Sequence, residues 1–137
     1  MKPTRSYEVY IDGASLGNPG PAGVGIVFQD GGPAPVRELS RPVGQTTNNV
    51  AEYLALLYAL HEAVRAGWSR LAVKTDSELL ARQINGQYRV RDPFLRCLHD
   101  LALDLVAGFD EFTIQHVPRE QNAAADRLAG QAAKRQH

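Results

Sequence analysis

The 137 residues carry fifteen lysines and arginines against fifteen aspartates and glutamates, and 44% of them are hydrophobic. That balance does not announce a nucleic-acid binder, and the composition fits one soluble globular domain over residues 1–137. A lone cysteine excludes an internal disulfide, and no apolar run has the length of a signal peptide or a membrane span, so a cytoplasmic protein is expected.

The first element lies in "YEVYIDGASLGNPGPAG", residues 7 to 23. Tyr7, Val9 and Ile11 alternate with Glu8, Tyr10 and Asp12, which predicts a half-buried strand that stops at the glycine. "GVGIVFQDGG" (23 to 32) predicts a second strand, and "VRELSRPVG" (36 to 44) a third, with Pro42 pointing to an edge or a bend. In "TTNNVAEYLALLYALHEAVRAG" (46 to 67) the period changes to that of a helix. Val50, Leu54, Leu57 and Val64 fall on one face, His61 reads as a core residue, Asn49 as the N-cap and Gly67 as the stop.

"RLAVKTDS" (70 to 77) reads as a short strand and "SELLARQINGQ" as a short helix ending near Gly86. A third helix begins around Pro93 and runs to Gly108, with Cys97 expected inside it as a small buried hydrophobe. "EFTIQHVP" (111 to 118) is the last strand and "NAAADRLAGQAAKRQ" the last helix. Three hairpin strands followed by strand–helix alternation imply an α/β domain, one mixed sheet with helices on its faces. Between Arg82 and Arg96 stand four arginines (Arg82, Arg89, Arg91, Arg96) against Asp92 alone, a local positive patch compatible with a phosphate backbone or with an ordinary solvated surface.

Four acids occupy comparable places at element ends. Asp12 ends the first strand, Asp76 the fourth, Glu52 lies in the first turn of the long helix, and Asp126 in the first turns of the last. Each has a local reading: Asp12 as a turn former, Glu52 paired with Asn49 in a capping box, Asp76 as a helix cap, Asp126 as a partner of the helix dipole. Jointly they read differently. Parallel neighbouring strands one and four would bring Asp12 and Asp76 to one carboxyl edge, where open α/β sheets place ligands. Clustered carboxylates repel unless cations neutralise them, and oxygen-only ligands suit Mg²⁺ or Mn²⁺. Two such ions are the equipment of phosphodiester cleavage.

The stretches "YIDGASLGNPGPAGVGIV", "TTNNVAEYLALLYAL", "VKTDSELL" and "HVPREQNAAADRLA", in this order, resemble the ribonuclease H family, type 1. The resemblance is to the compact members lacking a long basic insertion, since "NGQYRVRDPF" offers only Arg89 and Arg91 there. It implies the ribonuclease H-like fold, a five-stranded mixed sheet with the first three strands antiparallel. It also implies hydrolysis of the RNA strand of RNA–DNA hybrids by a two-metal mechanism, leaving 5′-phosphate and 3′-hydroxyl ends. Asp12, Glu52, Asp76 and Asp126 take the places of its metal-binding acids. Asn18, Asn48 and Asn49 suit minor-groove edges and sugar hydroxyls, and Thr47 resembles a position that contacts a DNA phosphate.

Gly13, Gly17, Gly20 and Gly23 are expected to let the backbone approach a duplex, and Arg89 and Arg91 to contact substrate. Glu78 stands where the family often has a glutamine, and an acid there does not favour phosphate. For the auxiliary role before the last aspartate, Arg119 in the loop is preferred to His116 at the strand end. An arginine can neutralise phosphate charge but cannot act as a base. The expected partner is an RNA–DNA hybrid, with double-stranded RNA as an alternative substrate, and the expected state a monomer without membrane contact. A non-cleaving nucleic-acid-binding module with the same fold is the competing reading, disfavoured by the presence of all four acids.

Overall fold

A computed structural model describes residues 5–135. Five strands form one sheet: β1 (Tyr7–Ser15), β2 (Gly20–Gln29), β3 (Arg37–Thr46), β4 (Arg70–Thr75) and β5 (Glu111–His116), in the order β3-β2-β1-β4-β5. β1, β2 and β3 pair antiparallel, whereas β4 runs parallel to both β1 and β5. The helices are α1 (Asn48–Ala66), α2 (Glu78–Ile84), α3 (Pro93–Val106) and α4 (Ala123–Lys134), the last preceded by a 3-10 turn, Arg119–Asn122. This is the expected mixed sheet. β3 is an edge strand, and its Pro42 sits beside a shift of register at Ala22/Gly23, where a missing N–H costs no ladder bond in the interior.

The strand alternation sorts the two faces. Val9 and Ile11 join Val24, Ile26 and Phe28 under α1, while Tyr10 packs with Val27, Ala125 and Leu128 under α4. Trp68 closes the far end of the first cluster, stacked on Tyr7 with ring centroids 4.2 Å apart and edge-on to Phe28 at 5.0 Å.

α1 differs from its expected orientation. Its buried face is Ala51, Tyr53, Ala55, Leu56, Ala59, Leu60 and Ala63, whereas Val64 is 56% exposed and His61 stands in solvent. The reason is size: a row of alanines at every fourth position lets the helix axis settle close on the sheet. The larger Val50, Leu54 and Leu57 are carried to its flanks. Cys97 is likewise exposed, not buried, because α3 covers the core with a narrow seam in which only Ala102 is fully enclosed. Buried Glu62 is clamped by Arg37 at 2.6 Å and Arg65 at 3.0 Å, tying α1 to the edge strand. Glu62→Ala is expected to cost about 1–2 kcal/mol in urea melts, since both arginines can still reach water. An unchanged midpoint would show the clamp to be neutral.

Candidate active site

The site is built first by strand register. β1 does not end at the Asp12–Gly13 pair but continues to Ser15, so Asp12 is a strand residue and not a turn former. Ile11 lies opposite Thr75 on the parallel neighbour, so the next residues, Asp12 and Asp76, emerge side by side at the carboxyl edge. Asp76 does not cap α2; Ser77 does, its hydroxyl accepting from Leu80 N–H at 3.1 Å.

Glu52 is brought in by the cap of α1. The capping residue is Thr47, not Asn49: its hydroxyl accepts from Val50 N–H at 3.3 Å. Glu52 therefore lies beyond the first turn, forms no capping box, and accepts from Gly13 N–H at 2.8 Å. Gly13 makes that approach possible, since a Cβ there would stand 2.2 Å from the Ala51 carbonyl carbon. Two of the other glycines named with it also have a role in the fold: a Cβ on Gly20 would meet the Leu16 carbonyl at 2.0 Å, and one on Gly23 would meet Ala132 on α4 at 2.5 Å. Gly17 differs, lying at φ +96° in the turn between β1 and β2.

Asp12, Glu52 and Asp76 each offer a carboxylate oxygen within 4.8 Å of the other two. Asp126, in the first turn of α4, faces the same open cleft of about 740 Å³, together with Gly13, Asn48, His116 and Arg119. Arg119 Nη2 stands 3.5 Å from Asp126 Oδ1. Burial holds the Asp12 carboxyl far above the usual carboxylate range, at about 9, with the charges of Glu52 and Asp76 adding to the effect. Burial likewise pushes Glu52 up to about 8, against the pull of the Gly13 N–H bond. The three carboxyl groups offer oxygen donors only and are crowded, a set that could hold a hard divalent cation, and the raised Asp12 and Glu52 would be drawn to ionise by such a charge.

The remaining expected residues divide. Asn48 lines the cleft, and its backbone N–H donates to Asn18 Oδ1 at 3.0 Å, so Asn18 is held beside it. Asn49 is exposed on the first turn of α1 and Thr47 is occupied as the cap. Arg89 and Arg91 are exposed on the α2–α3 connection, Arg89 lining a separate hollow of about 410 Å³ with Arg96 and His99. Arg82 is taken by Glu78 at 3.0 Å and lies over Tyr88, and that pairing turns Glu78 away from the role of a free acid.

One buried residue carried no clear sequence signal. Asn122, 1% exposed, donates from Nδ2 to the Ile11 carbonyl at 2.8 Å, joining the root of α4 to the strand that bears Asp12. Asparagine before a helix ordinarily announces a cap, yet this side chain makes no cap bond.

The family described as reverse transcriptase-like matches residues 10–132. Ribonuclease HI of Halobacterium salinarum is 43% identical over 96% of the chain. The chain belongs to the ribonuclease H family. The crystal structure of RNase H1 from that archaeon superposes with a TM-score of 0.91 at 43% identity, covering 94% of this chain and 98% of the other. LC11-RNase H1, solved in complex with an RNA/DNA hybrid, superposes with a TM-score of 0.88 at 36% identity, covering 94% and 97% of the two chains. The bifunctional protein Rv2228c of Mycobacterium tuberculosis is 42% identical over 90% of the chain. The chain spans 67% of the halobacterial ribonuclease HI and 34% of the mycobacterial protein. The match to a family of metal-dependent nucleases agrees with a site made of oxygen donors.

Proposed function

We propose that this chain is a metal-dependent endoribonuclease that hydrolyses the RNA strand of RNA–DNA hybrids, acting as a cytoplasmic monomer and leaving 5′-phosphate and 3′-hydroxyl ends. The observation that carries this reading is the convergence of Asp12, Glu52 and Asp76 within 4.8 Å in an open cleft. A relative of the same fold holds an RNA/DNA hybrid, which supports that substrate for this chain. Among the described residues no helix is long and apolar enough to cross a membrane.

Asp12, Glu52, Asp76 and Asp126 are the residues assigned to hold two Mg²⁺ or Mn²⁺ ions. When bound, such ions supply the positive charge that activates water and stabilises the leaving oxygen. The protein's part is placement. Glu52 is oriented by the Gly13 N–H, and Asp12 is kept dry by burial, so its charge is felt strongly inside the cleft. Arg119, beside Asp126, is suited to screen the negative charge of an incoming or departing phosphate. Asn18, Asn48 and Asn49 are assigned to the groove, Thr47 and Gly13 to the backbone of the duplex, and Arg89 and Arg91 to phosphates beyond the cleft.

Incubating the protein with labelled RNA–DNA hybrid, RNA duplex and DNA duplex in Mg²⁺, Mn²⁺ or EDTA tests this directly. Cutting of the hybrid's RNA strand that vanishes in EDTA is expected. Metal-independent binding without a cut would favour the non-cleaving module, and preference for the RNA duplex would reassign the substrate. For the auxiliary role, Arg119→Ala is expected to lose about tenfold in kcat, more than His116→Ala loses. The opposite ranking would move the role to His116.

A further inference from the structure

The carboxylate cleft has a second wall whose polarity is set by uncharged residues. Ser15 and Asn48 line it beside Asp12 and Glu52. The Ser15 backbone N–H donates to Asn48 Oδ1 at 3.1 Å, and the Ser15 hydroxyl donates to the same oxygen at 2.8 Å. Both lone pairs of that carbonyl are therefore in use. One of the two partners is a backbone N–H, which can only donate, so the orientation of the amide follows from chemistry. Its NH₂ end is turned outward, and no acceptor among the described residues takes it up. Asn18 repeats the arrangement, with Oδ1 held by the Asn48 N–H at 3.0 Å and its NH₂ left over.

We infer that Ser15 is a positioning residue for substrate, locking Asn48 so that its amide presents the NH₂ donor and not the carbonyl acceptor, and that this amide thereby reads a duplex through acceptors common to every base pair. The inference rests on the hybrid reading given above. In the minor groove A·T and T·A pairs show acceptors alone, and G·C pairs add the guanine N2 amine as a donor. A 2′-hydroxyl can also accept. An Asn48 amide fixed with its donor end outward therefore grips the groove whatever the sequence, with one exception: a guanine amine opposite Asn48 meets a donor with a donor. Sequence tolerance and a local bias against guanine follow from the same two hydrogen bonds.

The test is equilibrium binding of a fluorescently labelled hybrid in EDTA at one fixed low salt concentration, with KM and kcat measured in Mg²⁺. Ser15→Ala is expected to raise Kd and KM by about three- to tenfold with kcat held within about twofold, as the loss of one orienting hydrogen bond implies. Ser15→Thr, which keeps the hydroxyl, restores both. In Asn48→Asp one oxygen still receives Ser15, while the outward donor becomes an acceptor. Added charge weakens all binding, so the informative quantity is a ratio: wild type prefers inosine over guanine at a single scanned position, and Asn48→Asp reverses that preference. A Ser15→Ala protein with wild-type Kd and KM, or an inosine preference unchanged in Asn48→Asp, overturns the inference while leaving the nuclease standing. A wild-type protein that neither binds nor cuts the hybrid overturns the functional reading and this inference together.

Discussion

Asp12→Asn is expected to abolish cleavage, by at least about 10³-fold in kcat, and at the same time to make the metal-free protein harder to melt. The second effect follows from the sign of the proton linkage. The Asp12 carboxyl is held at about 9 in the folded chain, chiefly by burial, against about 3.9 in an unfolded one. A carboxyl raised on folding contributes stability that is complete below about pH 4 and is lost as pH climbs towards 9. Glu52, held at about 8, adds in the same direction. The wild-type protein in EDTA should therefore lose stability steadily between those limits, and asparagine, which never ionises, should not share the Asp12 part of that loss. At pH 8 the variant's advantage should be about 1–3 kcal/mol, a rise of several degrees in Tm, and at pH 4 it should disappear. Added Mg²⁺ should raise the wild-type Tm and do much less for the variant. Calorimetry with and without EDTA at the two pH values decides it; equal wild-type and variant midpoints at pH 8 would show that Asp12 carries no strained charge.

Gly13→Ala tests the same region from the side of packing. The added Cβ would lie 2.2 Å from the Ala51 carbonyl carbon, 2.3 Å from its oxygen and 2.5 Å from Glu52 N, all of them backbone atoms. No side chain can swing aside, so α1 has to lift from β1, and the row of alanines that seats it loses contact as a unit. A loss of about 2–4 kcal/mol in stability is expected, together with an activity loss beyond what unfolding explains, because Glu52 moves with the helix. The measurement is kcat per folded molecule at a temperature well below the variant's melting point. Full specific activity there would show that Glu52 keeps its place without the contact.

Much of this arrangement could be read from the chain, and what could not has a common cause. Alternation in β1 and the change of period after Thr46 depend on local residue order, so strand sequence, the edge position of β3 and the meeting of Asp12 with Asp76 were legible. The face of α1 was not, because Val50, Leu54, Leu57 and Val64 are apolar while the helix in fact seats on alanines. Hydropathy rewards large residues, whereas close helix–sheet contact rewards small ones. The same bias placed His61 and Cys97 inside. The cap moved from Asn49 to Thr47 because Asn48 and Asn18 are held in a tertiary network with Ser15 that no local pattern announces. That Gly13, Gly20 and Gly23 also act as spacers where other atoms come close is visible only once the neighbouring segments are in place.

The Asn122–Ile11 hydrogen bond joins positions 111 residues apart. Its consequence is temporal. A chain emerging from the ribosome at roughly 5–20 residues per second folds its early segments first. β1, β2 and β3 can pair as hairpins soon after they appear, but the last acid of the cleft arrives on α4, the final helix. Loop closure over so great a separation comes late on entropic grounds as well. A nascent chain that already displays Asp12, Glu52 and Asp76 is thus still without Asp126 and without the clasp at the root of α4. A chain stalled or truncated before α4 therefore carries three of the four acids without the fourth, and is expected to be inert until that helix has docked.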